Sequence, residues 1–441
     1  IIILLIFSIS YKTHFSSDAY KIMRIGVEEY AKQTIGNGRI FEYIILSIFS
    51  HLNMSYINLY RIFIFISAFI ISMSIFILLK IFYSSKNTKK LNIFLLLSIF
   101  NIFITVSLSE MMIFIEILNM SISILMSIIA SILLFKNNNI LSLITLILAS
   151  LNYQATIVIF IPIYLLLVSR NNTINKKHLI KSIAFYYFTL GLGYILLKVI
   201  QSLDFTIDNR VGNVNLLLNI TSILKNYIKY GFILFVIIFI INIITEPNIT
   251  STKNILIIYL STLITTTSLT FLNSSILSFR MMFSLFGMVG IIGIYLYNNI
   301  SQIENIKPAI IIQIVFLIIN ITLFGLYTNL SIKQTNENNN IINEVTNIVN
   351  ESNSTNQNID KIAFCYDENV ISFNNKLAAN YKPHYSPWSR KYFFELILNK
   401  GLEETTISKD LYNLFFYNKD WNEFNKEQIQ IVGDTILVCI Y

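Results

Sequence analysis

From Asn92 to Leu134 the chain is almost unbroken apolar sequence, and only two side chains in it are charged, Glu110 and Glu116. An ionised group at the centre of a bilayer costs about 3 kcal/mol or more, so such residues face a protein interior or a water-filled cavity and mark function. Similar apolar runs recur along the 441 residues, of which 55% are hydrophobic and 13% charged. Many approach the roughly 20 residues that a spanning helix needs. A water-soluble globular fold is thereby excluded, and the expected architecture is an all-α polytopic membrane bundle.

The candidate spans are Ile1 to Ser10, Ile62 to Phe82, Leu91 to Ser107, Met111 to Phe135, Ile140 to Leu151, Ala155 to Val168, Leu179 to Ile200, Gly231 to Ile244, Ile255 to Phe271, Met281 to Tyr297 and Ala309 to Tyr327. That makes about eleven spans. The first run, IIILLIFSIS, is short for a span and reads as a truncated helix; a signal peptide is the alternative, but no basic leader or small-residue cleavage site accompanies it. The pair flanking Asn152, Tyr153 and Gln154 reads as a bent hairpin or a broken helix, which membrane depth tolerates only where protein or a cavity covers the backbone.

The net charge of +8 does not point to nucleic acid, because the basic residues sit in short segments between apolar runs, where they set orientation. Two such segments, Lys80, Lys86, Lys89 and Lys90, then Arg170, Lys176, Lys177 and Lys181, are expected on the cytoplasmic side. Alternation then assigns the opposite side to the Tyr11 to Arg61 segment, the Ser107 to Glu110 corner, the Asn152 tip, the Gln201 to Lys229 loop, the Asn273 to Arg280 corner and everything beyond Leu330. Asp18, Arg39, Glu42, Glu110, Glu116, Gln154, Asp204, Asp208, Arg210 and Arg280 all fall at or just below that face. Any chemistry is therefore expected on the extracytoplasmic side of the membrane. Nucleotide-activated substrates are scarce there, and the chain has no GxxxxGK phosphate loop, so a lipid-linked donor is the natural source of activated substrate.

Composition changes after residue 330. Residues 331–360 are rich in Asn, Ser and Thr and read as a polar linker after a membrane domain over 1–330. Residues 361–441 read as a small soluble α/β domain, with IAFCY and TILVCIY as buried strands and helices near Arg390 to Asn399 and Ser408 to Tyr417. Cys365 and Cys439 offer no metal site, and they can pair only in an oxidising compartment.

Each candidate residue has a functional and a structural reading. Asp18 suits a general base that takes a proton from an acceptor hydroxyl, or else it caps a helix running to Glu29. Arg39, after Gly36 and Gly38 and before the interfacial helix IFEYIILSIF, can pair with a phosphate or with Asp18, or anchor to lipid headgroups. Glu110 and Glu116 differ by about 120° and about 9 Å on one continuous helix, so they converge only if a helix starts between them. Glu110 is expected at the outer corner, with a solvated acid or cap as its structural reading. Glu116 is expected deeper, and its alternative is a neutral glutamate bonded between helices. Arg280 can grip a phosphate leaving group or snorkel to the interface. Arg210, flanked by Asp204 and Asp208, is a weaker candidate that reads more readily as a structural ion pair. His14, His51, His178 and His384 show no ligand spacing, while Mg²⁺ or Mn²⁺ at Asp18 or Glu110 stays open, since one or two acids plus substrate phosphates can suffice.

Several of these segments together resemble the GtrII-type glucosyltransferases of bacterial surface polysaccharide (O-antigen) modification. They are Asp18 followed by Arg24, Gly38-Arg39 ahead of the interfacial helix, the corner SLSEMMIFIEILNMSISILM, the segment LNYQATIVIFIPIYLLL and the closing GDTILVCIY. The resemblance implies a GT-C architecture that uses a polyprenyl-phosphate-linked sugar donor and a glycan acceptor at the outer face of the bilayer. Asp18 would be the base, with Glu110 or Glu116 as second acid; Arg24, Arg39, Gln154, Arg210 and Arg280 would bind substrate. The chain has Ser17-Asp18 where that family tends to show adjacent acids, which argues against a paired-carboxylate metal site. The chain also resembles EpsG and Wzy-type polysaccharide polymerases, against which its soluble appendage and modest outer loops count. A non-enzymatic lipid or polysaccharide transporter would predict charges along a transmembrane path and an internal repeat, and neither is evident.

Overall fold

The computed structural model describes residues 6–7, 16–36, 39–52, 54–84, 88–171, 174–202, 229–245, 249–268, 279–299, 307–354, 359–366, 389–417, 419 and 425–440. In chain order the helices are α1 (Ser17–Ile25), α2 (Val27–Gly36), α3 (Ile40–Ser50), α4 (Tyr56–Phe82), α5 (Lys89–Phe103), α6 (Val106–Met111), α7 (Ile117–Phe135) and α8 (Asn139–Asn152). After a 3₁₀ turn (Gln154–Ile159) come α9 (Phe160–Asn171), α10 (Lys176–Gln201), α11 (Lys229–Thr245) and α12 (Ile249–Ser268). A second 3₁₀ turn (Phe279–Met282) and one helical turn (Phe283–Phe286) lead to α13 (Met288–Asn298) and the 48-residue α14 (Lys307–Ser354). The remainder is β1 (Lys361–Tyr366), α15 (Arg390–Leu398), β2 (Glu403–Thr405), α16 (Lys409–Phe415), β3 (Ile429–Val432) and β4 (Thr435–Ile440).

These elements form two compact units, one of Ile1–Tyr11 with Glu28–Tyr327, the other of Lys12–Val27 with Thr328–Tyr441. Among its described residues the first unit is all helical. Among the described residues five helices are long and apolar enough to cross a membrane: Tyr56–Phe82, Ile117–Phe135, Lys176–Leu196, Arg280–Asn298 and Lys307–Glu351. The protein is thus membrane-associated, but with five such helices rather than about eleven. Several expected spans are shorter helices, among them Asn139–Asn152 and Gly231–Ile241, and the expected span at Leu91 to Ser107 ends as a helix at Phe103.

The Asn92 to Leu134 run is not two helices meeting at a corner. α5 ends at Phe103, the short α6 intervenes, and α7 restarts at Ile117; every residue from Asn101 to Met120 is buried. Short-range bonds satisfy much of this buried irregular backbone: Ile113 N–H to Glu110 O, Phe114 N–H to Met111 O and Ile117 N–H to Phe114 O. The Tyr60 hydroxyl donates to the Met112 carbonyl. Interrupted backbone at membrane depth needs such cover. The break at Tyr153 is equally enclosed, with Ala155 through Ser169 all buried.

Close packing of α13 on α5 rests on three glycines one turn apart, Gly287, Gly290 and Gly293. A Cβ at Gly290 would lie 2.3 Å from the Ser98 carbonyl, and one at Gly293 would lie 2.2 Å from the Ser98 hydroxyl. Beside this seam Asn101 donates to the Gln313 side chain at 2.7 Å, and Gln313 donates to the Val289 carbonyl at 2.8 Å. Small residues let backbones approach, and amide bonds fix the partners, as expected where apolar burial cannot discriminate.

The ends of this unit differ chemically. Arg170 donates to the Ile81 carbonyl at 2.7 Å, Ser84 N–H to the Tyr297 hydroxyl at 3.2 Å, and Tyr297 to Asn92 at 3.0 Å. The two basic segments therefore meet at one end. Following α5, α9 and α13 from there leads to the opposite end, where Thr105, Tyr153 and Arg280 lie.

The second unit carries a four-stranded mixed sheet in the order β2-β1-β4-β3, with β1 parallel to β2 and β4, and β3 antiparallel to β4. Alternation sends Ile362, Phe364, Ile436 and Val438 to one face, where Tyr20, Ile341, Val345, Phe393 and Phe394 cover them. Ala363, Cys365, Leu437 and Cys439 face the other way, under Phe416. Cys365 and Cys439 are partners in the β1–β4 register, and both are free thiols. The β3–β4 loop is Gly433-Asp434, with Gly433 at φ 62°, a conformation that glycine reaches without steric cost. Residues 331–354 continue α14 as a helix, where a polar linker was expected. Arg24 and Tyr20 of α1 belong to this unit too: Tyr20 meets Phe393 edge-on at 5.0 Å and accepts from Asn338 at 3.1 Å.

Candidate functional site

Two arginine-centred constellations stand at the end of the first unit opposite its basic segments. Arg39 immediately precedes α3 and places its Nη1 3.3 Å from Glu42 Oε2 and 3.6 Å from Glu116 Oε1. Its guanidinium lies 4.5 Å from the centre of the Tyr153 ring, and the Tyr30 hydroxyl donates to Glu116 Oε1 at 2.7 Å. Arg280, in the 3₁₀ turn before α13, lies 3.9 Å from the centre of the Phe114 ring. Its backbone N–H donates to Glu110 Oε2 at 2.8 Å, and its Nη1 is 3.8 Å from Glu110 Oε1.

The chain breaks make this possible. The helix restarts between Glu110 and Glu116, with Glu116 at the cap position of α7 but with no capping bond from its side chain. That restart frees the two acids from the about 120° separation of a continuous helix and gives each its own arginine. Glu110 is therefore not a solvated corner acid: it is 1% exposed, and Glu116 is 6% exposed. A buried carboxylate next to an arginine is retained only where the pairing offsets desolvation.

Glu42 is fully buried, and burial is the main cause of its pKa being pushed up to about 8; Arg39 opposes the rise and Glu116 adds to it. Arg280 also acts on Glu42, so the two constellations share one electrostatic field. The helix carrying Glu42 has 11 residues, about 16 Å at 1.5 Å per residue, too short to span. Both arginines keep part of their side chains open, 19% for Arg39 and 21% for Arg280.

Arg39, Glu110, Glu116, Gln154 and Arg280 of the sequence-derived set lie in the first unit, and Gln154 directly follows Tyr153. Asp18 and Arg24 belong to the second unit. Asp18 is not the helix cap that one reading expects: Ser16 occupies the cap position, Asp18 lies in the first turn, and α1 ends at Ile25 before Gly26, which has φ 91°. Arg24 pairs with Glu395 at 3.4 Å, and Glu395 also accepts from the Leu402 N–H at 2.9 Å. Arg210, with Asp204 and Asp208, lies outside the described residues. Among the described residues no group of three or more His, Cys, Asp or Glu side chains comes together to hold a metal ion, and both oxygens of Glu110 already face Arg280.

Sequence reasoning missed Tyr30, Phe114 and Tyr153, and it placed Glu42 near the outer face without giving it a role. Glu42 carried a usable signal, a charge inside an apolar helix, and Tyr153 sat in the recognised break. Phe114 is indistinguishable by type from its apolar neighbours. The chain matches no protein-family model, no curated protein and no solved structure.

Proposed function

We propose that this chain is an integral-membrane glycosyltransferase that moves a hexose, glucose in the first instance, from a polyprenyl phosphate to a surface polysaccharide or lipid-linked glycan. In this reading the reaction takes place at the extracytoplasmic face of a bacterial inner membrane, and the second unit lies on that side. The resemblance to GtrII-type and GT-C enzymes points the same way. The observation that carries the reading is the pair of part-open arginines, each stacked on a ring and each beside a buried glutamate, at the end remote from the basic segments.

Guanidinium groups bind phosphate oxygens in paired hydrogen bonds, and charge held by aromatic faces and buried acids is preorganised. Arg39 and Arg280 hold the donor phosphate and stabilise charge that develops on it as the glycosyl bond breaks. The leaving phosphate needs little protonation, so positioning and charge stabilisation supply most of the rate. Glu110 and Glu116 orient the arginines and sugar hydroxyls. Asp18 has the early position expected of the base that takes the acceptor proton.

The test is transfer of labelled sugar from polyprenyl phosphate to a polysaccharide acceptor by the reconstituted protein. Transfer should proceed one sugar at a time, and Arg280→Lys should lower it by roughly 100-fold, since the planar fork and its stack are lost. Asp18→Asn should abolish transfer with expression unchanged; near-normal transfer removes Asp18 from the mechanism. Movement of label in oligosaccharide blocks would replace this reading with the EpsG or Wzy-like polymerase, and movement of lipid without bond transfer would make the protein a transporter.

A further inference from the structure

Asn119 is fully buried in the first turn of α7, and among the described residues neither its amide oxygen nor its amide nitrogen has a hydrogen-bond partner. Leaving both ends of a primary amide unsatisfied is among the costlier things a core can do, and native proteins seldom do it without a use for the group. Its surroundings narrow that use. At 100° per residue, Glu116, Asn119 and Ser123 share one face of α7. Glu116 is held by Arg39 and Tyr30, while Ser123 donates to the Tyr153 carbonyl at 3.0 Å. Arg39 and Tyr153 are themselves stacked, so both flanks of Asn119 are tied to the same cation and ring. Two further buried atoms here have no partner among the described residues, Arg39 Nε and the Asn152 side-chain oxygen, the latter beside Tyr153.

An amide presents a donor and an acceptor about 2 Å apart in one plane, the complement of two adjacent hydroxyls. We infer that Asn119 binds a vicinal diol of the donor sugar and thereby selects a sugar-bearing lipid phosphate over a bare one. This inference rests on the transferase reading above, in which Arg39 holds the phosphate. Sites built to hydrogen-bond a hydroxyl discriminate strongly against ligands that lack it, because the buried partner is then left unpaired.

The experiment uses the full chain in detergent, with citronellyl phosphate and its glucosyl, galactosyl and mannosyl phosphodiesters as probes. The wild type should bind the best glycosyl form roughly tenfold or more tighter than citronellyl phosphate. Asn119→Leu should close that gap while binding citronellyl phosphate as before. Without ligand the same variant should melt higher by about 2 °C or more, since it removes an unsatisfied amide from an apolar site. A variant that keeps the preference overturns the assignment, as does one that melts lower, which would mean that the amide is bonded in the free protein. A wild type that binds all four probes equally overturns the sugar contact and leaves the phosphate site standing. Binding of none of the probes removes the lipid-phosphate reading itself, and the inference with it.

Discussion

Arg39 faces two carboxylates, Glu42 and Glu116, so this buried cluster has one acid more than it has cations. Protonating one acid relieves the excess, and Glu42, raised from its ordinary 4.5 to about 8, is the one whose environment favours the neutral form. The folded protein then holds a proton that the unfolded chain releases earlier. The stabilisation from Glu42 is complete below pH 4.5 and is lost as pH climbs through about 8. Melting temperature followed by scanning fluorimetry in detergent should fall across that window, and Glu42→Gln should flatten the slope; an unchanged slope in the variant would assign the effect elsewhere. Chemistry at this scale was partly legible in the sequence. Charges in apolar runs announce themselves, so Arg39, Glu110, Glu116 and Arg280 stand out in the sequence. Their aromatic partners do not, because Phe114 and Tyr153 become informative only when another part of the chain delivers a guanidinium to their faces.

Helix interruptions are what the sequence hid at the next scale. Hydropathy measures how apolar a segment is and says little about whether its backbone stays helical, so Asn92 to Leu134 read as two spans although it holds three helices. The same averaging hid the seam between α5 and α13, where the absence of side chains is the structural feature. Gly290→Ala would drive a Cβ to 2.3 Å from the Ser98 carbonyl, a backbone atom that cannot rotate away, so the helices must separate. Overpacking of that kind costs about 1–3 kcal/mol. Thermal unfolding should show a clear loss for Gly290→Ala and none for Gly191→Ala, whose added Cβ would have nothing within 4 Å. Equal behaviour of the two variants would mean that the seam is looser than its geometry indicates. Strand assignments fared better. IAFCY falls within β1 and the TILVCI part of TILVCIY makes up β4, since short β-branched and aromatic runs bounded by polar sequence have few other ways to be buried.

Over the whole molecule, charge is sorted before chemistry is. The apolar unit gathers Arg170, Lys80, Lys89 and Lys90 at one end and the arginine–glutamate constellations at the other, a division that the spacing of basic residues already implied. The second unit was less legible, because it draws on both ends of the chain: Lys12–Val27 joins Thr328–Tyr441, and no local pattern links Tyr20 to Phe393 or Arg24 to Glu395. If basic segments stay in the cytoplasm, the proposed orientation has a direct consequence for labelling. The natural thiols leave the background low: Cys365 and Cys439 are buried, and hydrogen bonding to Cys439 together with burial raises the Cys365 pKa well beyond the thiol range. In intact cells an impermeant maleimide should therefore modify Asp410→Cys, on exposed α16, and reach Lys177→Cys only after permeabilisation. The opposite pattern would turn the protein over and move the arginine site to the cytoplasm. There nucleotide sugars are available, and a lipid-linked donor would lose its rationale.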